Sequence, residues 1–411
     1  MKRCLPMLAA ALALTACAAA PAETAPAETA PPDETPVAAE AAEESAQESS
    51  FPVGELRVCD DWRRDTDTAY FTIYGEEGTA DLVGLRLDYA DGVQTKMWTL
   101  ARTPMYSDWY VTNDNVVRVF LTNEDGSQFR YKSFYPDGRT EEQSISREIL
   151  PTVYDEYAAY VLRDKTVTRL DWQTGEITQW DASLSQIAEV YGAVGDRVLI
   201  SRIISDIPLP TEDEMYYAVL QNSRREYDLY DIASNTVEKL FDDAYYPEDG
   251  GSWKIYLGCR GDILYFTWSK PADNGCTQVL WGYDLAAGAG QELYAEKSTE
   301  CVGAYNGMKG FSRGGQLQCV FLQSTPDTLF IYKTDDGKVY NVPYHDPTLD
   351  AAYGTAENYG CPIALTGDGR MLVTDGYTQR EGYPVDAYGL IGLDAYLAGS
   401  TEYTPVKMLE P

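Results

Sequence analysis

From residue 51 onward, apolar and polar positions alternate in short runs. Turn residues break the pattern roughly every 8–12 positions, a rhythm that predicts strands rather than helices. The runs include "AYFTIY" (69–74), "VVRVFL" (116–121), "YAAYVL" (157–162), "RVLISRI" (197–203), "ILYFTW" (263–268), "CVFLQ" (319–323) and "MLVTDG" (371–376). Upstream of several lies another apolar run, such as "IAEVYGAVG" (187–195) and "WKIYLG" (253–258). Helical spacing of apolar residues is hard to find.

Downstream of each run a frame recurs: strand, Asp, a short polar link, Gly or Asn, strand. Asp88 precedes Gly92, Asp171 precedes Gly175, Asp231 precedes Asn235 and Asp284 precedes Gly288, each by four positions. Gly337 keeps the turn with Lys333 in place of the Asp, and Gly138 keeps it with Phe134 there. Asp394 stands one residue further from Gly399. Gly or Asn supplies the positive φ of a tight turn, and an Asp side chain can accept hydrogen bonds from the backbone N–H groups across it. These aspartates are therefore read as turn residues and not as catalytic groups.

The turn residues at 92, 138, 175, 235, 288, 337 and 399 are spaced by 46, 37, 60, 53, 49 and 62 positions. A unit of that size, with four antiparallel strands, suits a propeller blade. The frame resembles the loose family of bacterial WD40-like, TolB-like and quinoprotein-type propeller repeats, over residues 52–409, without the Gly-His and Trp-Asp signatures of true WD40 repeats. The expected fold is all-β: a seven-bladed β-propeller over residues 51–411, with six or eight blades as the alternatives.

Composition changes the picture at the N-terminus. Lys2 and Arg3 precede the apolar run "MLAAALAL", which is too short to span a bilayer and fits a signal-peptide core. Leu14-Thr15-Ala16-Cys17 resembles a bacterial lipoprotein lipobox. That resemblance implies cleavage after a signal peptide of residues 1–16 and acylation of Cys17; the plainer alternative is an ordinary signal peptide with an incidental Cys. Residues 18–50 are rich in Ala, Pro and Glu, contain no Lys or Arg, and repeat "PAETA" at 21–30. Residues 17–50 should form a disordered, extended tether. The expected location is a bacterial cell envelope, lipid-anchored, with the domain outside the cytoplasm.

The whole chain carries a formal charge of −33. Nucleic acid is a poor partner for it, because that binding needs clustered Lys and Arg. Candidate chemistry is sparse. The one histidine, His345 in "YHDP", excludes a two-His zinc site, and no Walker loop or GxGxxG is present. The acidic turns "DDWRRDTDT" (60–68) and "TNEDGSQ" (122–128) lack EF-hand spacing. No metal, cofactor or catalytic residue is assigned. Beyond Cys4 and Cys17 there are six cysteines. Cys276 and Cys301 should lie at one end of a blade and form the best disulfide pair. Cys59, Cys259, Cys319 and Cys361 fall in strand runs and suit buried thiols.

A binding face is expected where the second-to-third-strand loops and the between-blade loops meet. Three such second-to-third loops read as long: 204–225, 269–277 and 376–386. The first carries Tyr216, Tyr217, Arg224 and Arg225; the second Trp268 and Lys270; the third Tyr377, Arg380 and Tyr383. Between blades lie Tyr245 and Tyr246, and further on Tyr344 and His345. Aromatics with scattered Arg suit stacking on a peptide or a sugar. The expected role is a binding or scaffolding module for an envelope protein, peptide or glycan. The alternative is an extracellular glycan hydrolase or lyase using carboxylates and Tyr on the same face.

Overall fold

The structure, a computed structural model, describes residues 116–145, 151–209, 213–246, 251–298, 308–344, 360–380 and 383–406, with short gaps inside those ranges; between 54 and 111 it describes strand backbones alone. The expected signal peptide, the expected acylation site Cys17 and the expected tether lie outside the described residues, as do Cys59, Cys301 and His345. Among the described residues no helix is long and apolar enough to cross a membrane.

The described strands form seven four-stranded antiparallel sheets, each built from consecutive strands in sequence order. The first holds β1 (Gly54–Val58), β2 (Thr68–Tyr74), β3 (Thr79–Asp88) and β4 (Val93–Pro104). The second holds β5 (Trp109–Val111), β6 (Val117–Thr122), β7 (Phe129–Phe134) and β8 (Thr140–Ile145). Next come β9 (Val153–Tyr154), β10 (Ala158–Arg163), β11 (Thr166–Asp171) and β12 (Ile177–Asp181). The fourth has β13 (Ile187–Val194), β14 (Arg197–Ile204), β15 (Arg224–Asp231) and β16 (Thr236–Ala244), with helix α1 (Asp213–Leu220) between β14 and β15. The fifth has β17 (Ile255–Arg260), β18 (Ile263–Ala272), β19 (Gly275–Asp284) and β20 (Ala289–Ser298). The sixth has β21 (Lys309–Arg313), β22 (Gln316–Thr325), β23 (Thr328–Lys333) and β24 (Lys338–Pro343). The last has β25 (Pro362–Leu365), β26 (Arg370–Arg380), β27 (Tyr383–Gly392) and β28 (Thr404–Pro405), with helix α2 (Leu393–Leu397) before β28.

Six of these sheets pack face to face through five apolar layers. Phe120 and Tyr131 meet Ala159, Leu170 and Trp172. Leu162 and Val167 meet Val198, Ile200 and Tyr230. Leu199, Tyr227 and Leu229 meet Leu264, Phe266 and Tyr283. Tyr265 and Leu280 meet Leu317, Val320 and Tyr332, and Phe311, Ile331 and Val342 meet Met371, Val373 and Ile391. Alternate residues of one strand serve opposite layers, as Leu199 and Ile200 do. Inner strands are therefore apolar on both faces. First strands of successive sheets adjoin, β9 with β13, β17 with β21 and β21 with β25. This is a β-propeller with six supported blades, and the expectation of seven is corrected. The turn frame counts hairpins, whereas a blade needs packed faces; β1–β4 is described by its backbone pairing alone.

The hairpin chemistry is as the sequence suggests. Asp171 Oδ1 accepts hydrogen bonds from the Gln173 and Thr174 N–H groups, both at 3.0 Å. Asp231 does the same for Ala233 and Ser234 (2.9 and 3.0 Å), and Asp284 for Ala286 and Ala287 (2.8 and 2.9 Å). The turn position is left-handed at Gly175, Gly288 and Asn235, with φ of 70°, 62° and 54°. Asn235 stands where Gly would be easier because its side chain ties two blades. Its Oδ1 accepts from the Ser183 N–H at 2.9 Å, and its Nδ2 donates to the Asp181 carbonyl at 3.1 Å.

Three expectations need correction. Asp394 is no hairpin residue. It opens α2, which ends in a left-handed Gly399 whose N–H bonds to the Tyr396 carbonyl at 2.9 Å, while the Ser400 N–H reaches Ala395 at 3.0 Å. Its carboxylate instead holds Lys333 at 2.8 Å, the lysine that replaces the turn Asp of the preceding blade. The stretches 269–277 and 376–386 are not long loops but the extended ends of strand pairs, closed at Ala272–Gly275 and at Arg380–Tyr383. Only 204–225 is a long connection, and it contains α1.

Candidate functional site

The β14–β15 connection and the β16–β17 connection bring five of the sequence candidates together. Arg225 is the centre. It is the second residue of β15, points away from Arg224, and is 2% exposed. Its Nη1 donates to Glu189 Oε2 at 2.9 Å, to Ser201 Oγ at 3.3 Å and to Tyr191 Oη at 3.4 Å. Its guanidinium carbon lies 4.9 Å from the Tyr245 ring centre and 4.7 Å from that of Trp253. Each desolvated contact of this kind is worth about 1–2 kcal/mol. Burial works against the charge, but Tyr191 and Glu189 outweigh it, and the group holds its proton more firmly than a free arginine.

Tyr191 owes its position to a β-bulge. The register shifts between Val190 and Gly192, which leaves Tyr191 as the extra residue opposite β14. It stacks on Tyr227 with ring centres 6.1 Å apart. Burial raises its hydroxyl pKa, and Glu189 adds to the rise.

Outside this core sits a ring of partly exposed aromatics. Tyr245 meets Tyr246 edge-on at 5.1 Å and Trp253 at 6.3 Å. On α1, Tyr216 meets Tyr217 edge-on at 6.2 Å. The two pairs share one environment. The hydroxyl pKa of Tyr246 is raised first by burial and then by Tyr245, Tyr217 and Tyr216. That of Tyr216 is raised by burial and then by Tyr245 and Tyr217. Val219 and Leu220 anchor α1 to the blade, while Tyr217 (59%) and Tyr246 (40%) stay open to solvent.

The other candidates lie apart from this cluster. Arg224 faces the opposite side of β15 and pairs with Asp242 at 2.5 Å. Trp268 is half-buried on β18 beneath Lys254 and Lys270, at 5.1 and 5.0 Å from its ring centre. Lys270 pairs with Glu292 at 2.6 Å. Tyr344 packs partly buried against the core between the last two blades. Tyr377, Arg380 and Tyr383 lie in the β26–β27 pair, and their side chains are outside the described residues, as is His345. Cys276 is buried at the hairpin end of β19, and its expected partner Cys301 is outside the described residues. Cys259 and Cys319 are buried thiols, Cys319 pushed up to about 12 by burial.

Sequence reasoning missed Tyr191, Glu189 and Trp253. A Trp immediately ahead of an inner strand, facing the between-blade loop that holds Tyr245 and Tyr246, was a usable signal. The bulge that re-aims Tyr191 had no signal except Gly192 two-thirds of the way along its strand. Among the described residues no group of three or more His, Cys, Asp and Glu side chains is placed to hold a metal ion.

No protein-family model matches the sequence, and no curated protein does. Solved structures offer likeness of fold. An oligogalacturonate lyase from Vibrio parahaemolyticus aligns over 84% of this chain and 100% of its own, at 11% identity and a TM-score of 0.33. A Porphyromonas gingivalis dipeptidyl peptidase 4 aligns over 87% of this chain and 53% of its own, at 10% identity and a TM-score of 0.38. A prolyl endopeptidase aligns over 83% and 47%, at 14% identity and a TM-score of 0.44. This chain thus spans about half the length of either peptidase. These likenesses are too weak to speak to activity, and the propeller assignment stands on the sheets themselves.

Proposed function

We propose that this chain is a binding module, held at a bacterial cell envelope by an acylated Cys17, that recognises a peptide or glycan through the aromatic cluster around Arg225. The observation that carries this reading is a buried arginine, Arg225, capped at 4.9 Å by the Tyr245 ring, which meets Tyr246 edge-on at 5.1 Å, with Tyr217 and Tyr246 open to solvent. Exposed aromatic rings fixed by a rigid scaffold lose little entropy on binding, which is why they anchor interfaces. The alternative hydrolase calls for two carboxylates converging on one space, and a lyase for a base that takes the proton beside a substrate carboxyl group. Here Glu189 is held by Arg225 at 2.9 Å and Asp243 by Lys254 at 2.7 Å, so both are committed to the scaffold.

A peptide and glycan array probed with the purified protein tests the reading. Hits should be bound by the native chain and weakened about tenfold or more by Tyr217→Ala/Tyr246→Ala. Hits that the double variant binds undiminished would move the binding surface elsewhere.

A further inference from the structure

We infer that the ligand of the tyrosine cluster is a basic peptide bearing apolar side chains, and that the surface rejects acidic ligands; this rests on the binding reading above. Two observations carry it. The first is that the exposed surface includes more than aromatic rings. Met215 and Ile207, on the same β14–β15 connection as Tyr217, are 57% and 56% exposed. Sugar rings stack on Tyr and Trp, but Met and Ile offer them little. Flexible, polarizable Met and branched Ile suit apolar side chains of a peptide.

The second observation concerns charge. Every basic side chain described around the cluster already has its carboxylate. Arg225 holds Glu189, Arg224 holds Asp242, Lys254 holds Asp243, and Lys239 holds both Glu226 and Asp242. Arg225 is also buried beneath Tyr245 and Trp253, out of reach of an incoming anion. Among the described residues around the cluster no uncommitted cation stands at the surface to receive an acidic ligand. Around it the chain carries a net charge of −33, and Asp206 is exposed on the connection that leads to α1. A field of that sign draws cations inward and repels anions. The tyrosines would then supply the contact area, and the field the preference for Lys- or Arg-rich partners.

The test uses the full chain, purified in detergent, and calorimetric titration with four probes: an alternating Lys–Leu peptide, its Glu–Leu counterpart, a Lys–Ser peptide and cellohexaose. The Lys–Leu peptide should bind. The Glu–Leu peptide should not, for want of a cation to meet it, and the Lys–Ser peptide should bind far more weakly, for want of apolar anchors. Tyr217→Ser/Tyr246→Ser, at two exposed positions, should keep the native Tm and weaken Lys–Leu binding about tenfold or more. Undiminished Lys–Leu binding by the double variant, or equal binding of the Lys–Ser peptide, would reduce the effect to bulk charge and overturn the proposal. Tyrosine-dependent binding of cellohexaose without Lys–Leu binding would overturn the peptide assignment and leave the site in place. Indifference of all four probes and of the array to the tyrosines would overturn both.

Discussion

Asp228 shows what a single residue costs and contributes inside a blade. It lies on β15, fully buried against the preceding blade, and Arg202 Nε donates to its Oδ2 at 2.7 Å. Arg202 also holds Glu226 at 2.8 Å, while Asp228 Oδ1 has no hydrogen-bond partner among the described residues. Burial outweighs the arginine, and the Asp228 carboxyl is pushed up to about 6. A carboxyl whose pKa is higher folded than unfolded binds its proton more tightly in the native state. Its contribution to stability is complete below the ordinary carboxylate range and is lost as pH rises through about 6. Asp228→Asn cannot titrate. Between about pH 4 and about pH 7 its unfolding free energy should gain on the native protein by up to about 3 kcal/mol. Urea denaturation at several pH values measures this, and parallel curves for the two proteins would contradict the assignment.

At the scale of elements, what was legible in the sequence was local chemistry. The Asp-to-Gly frame marks hairpins because each Asp bonds two N–H groups within three residues, and no distant contact can hide that signal. Strand positions were legible for the same reason, since inner strands buried on both faces read as apolar runs. The number of packed blades was not, because packing is a relation between sheets that a repeat length does not encode. The extent of strands was not either: Pro271 and Gly275 read as loop residues, yet Lys270 and Thr277 still pair across them. Of the site, the tyrosines were visible as loop aromatics. The arginine's burial under two rings was not, since it depends on where the next blade begins. Close approach between blades supplies a test. Gly310 on β21 lies so near β17 that a Cβ there would meet the Leu257 carbonyl oxygen at 2.3 Å. Backbone cannot step aside as a side chain can, so Gly310→Ala should destabilise the protein by about 1–3 kcal/mol. Thermal denaturation checks this against Gly138→Ala, where nothing lies within 4 Å and only the turn is strained.

For the whole molecule the balance of charge decides how it can sit near a membrane. Loss of residues 1–16 would remove Lys2 and Arg3, making the chain more acidic still. An anionic leaflet repels such a protein, so attachment would have to come entirely from acyl chains, at about 0.8 kcal/mol per buried CH₂. On the proposed acylation of Cys17, Cys17→Ala should move the protein wholly from the membrane pellet to the soluble fraction on cell fractionation, with no residual partition that salt could modulate. Retention in the pellet would point to a protein tether instead of a lipid.

One feature of the architecture reaches further. Each described sheet is spun from an unbroken length of chain and lends no strand to its neighbours. Duplicating or losing such a length leaves every remaining hydrogen-bonded ladder whole, and only the greasy seams must be rejoined. A lineage built this way can change its count of units without inventing a new sheet, while the connecting loops drift at their own pace.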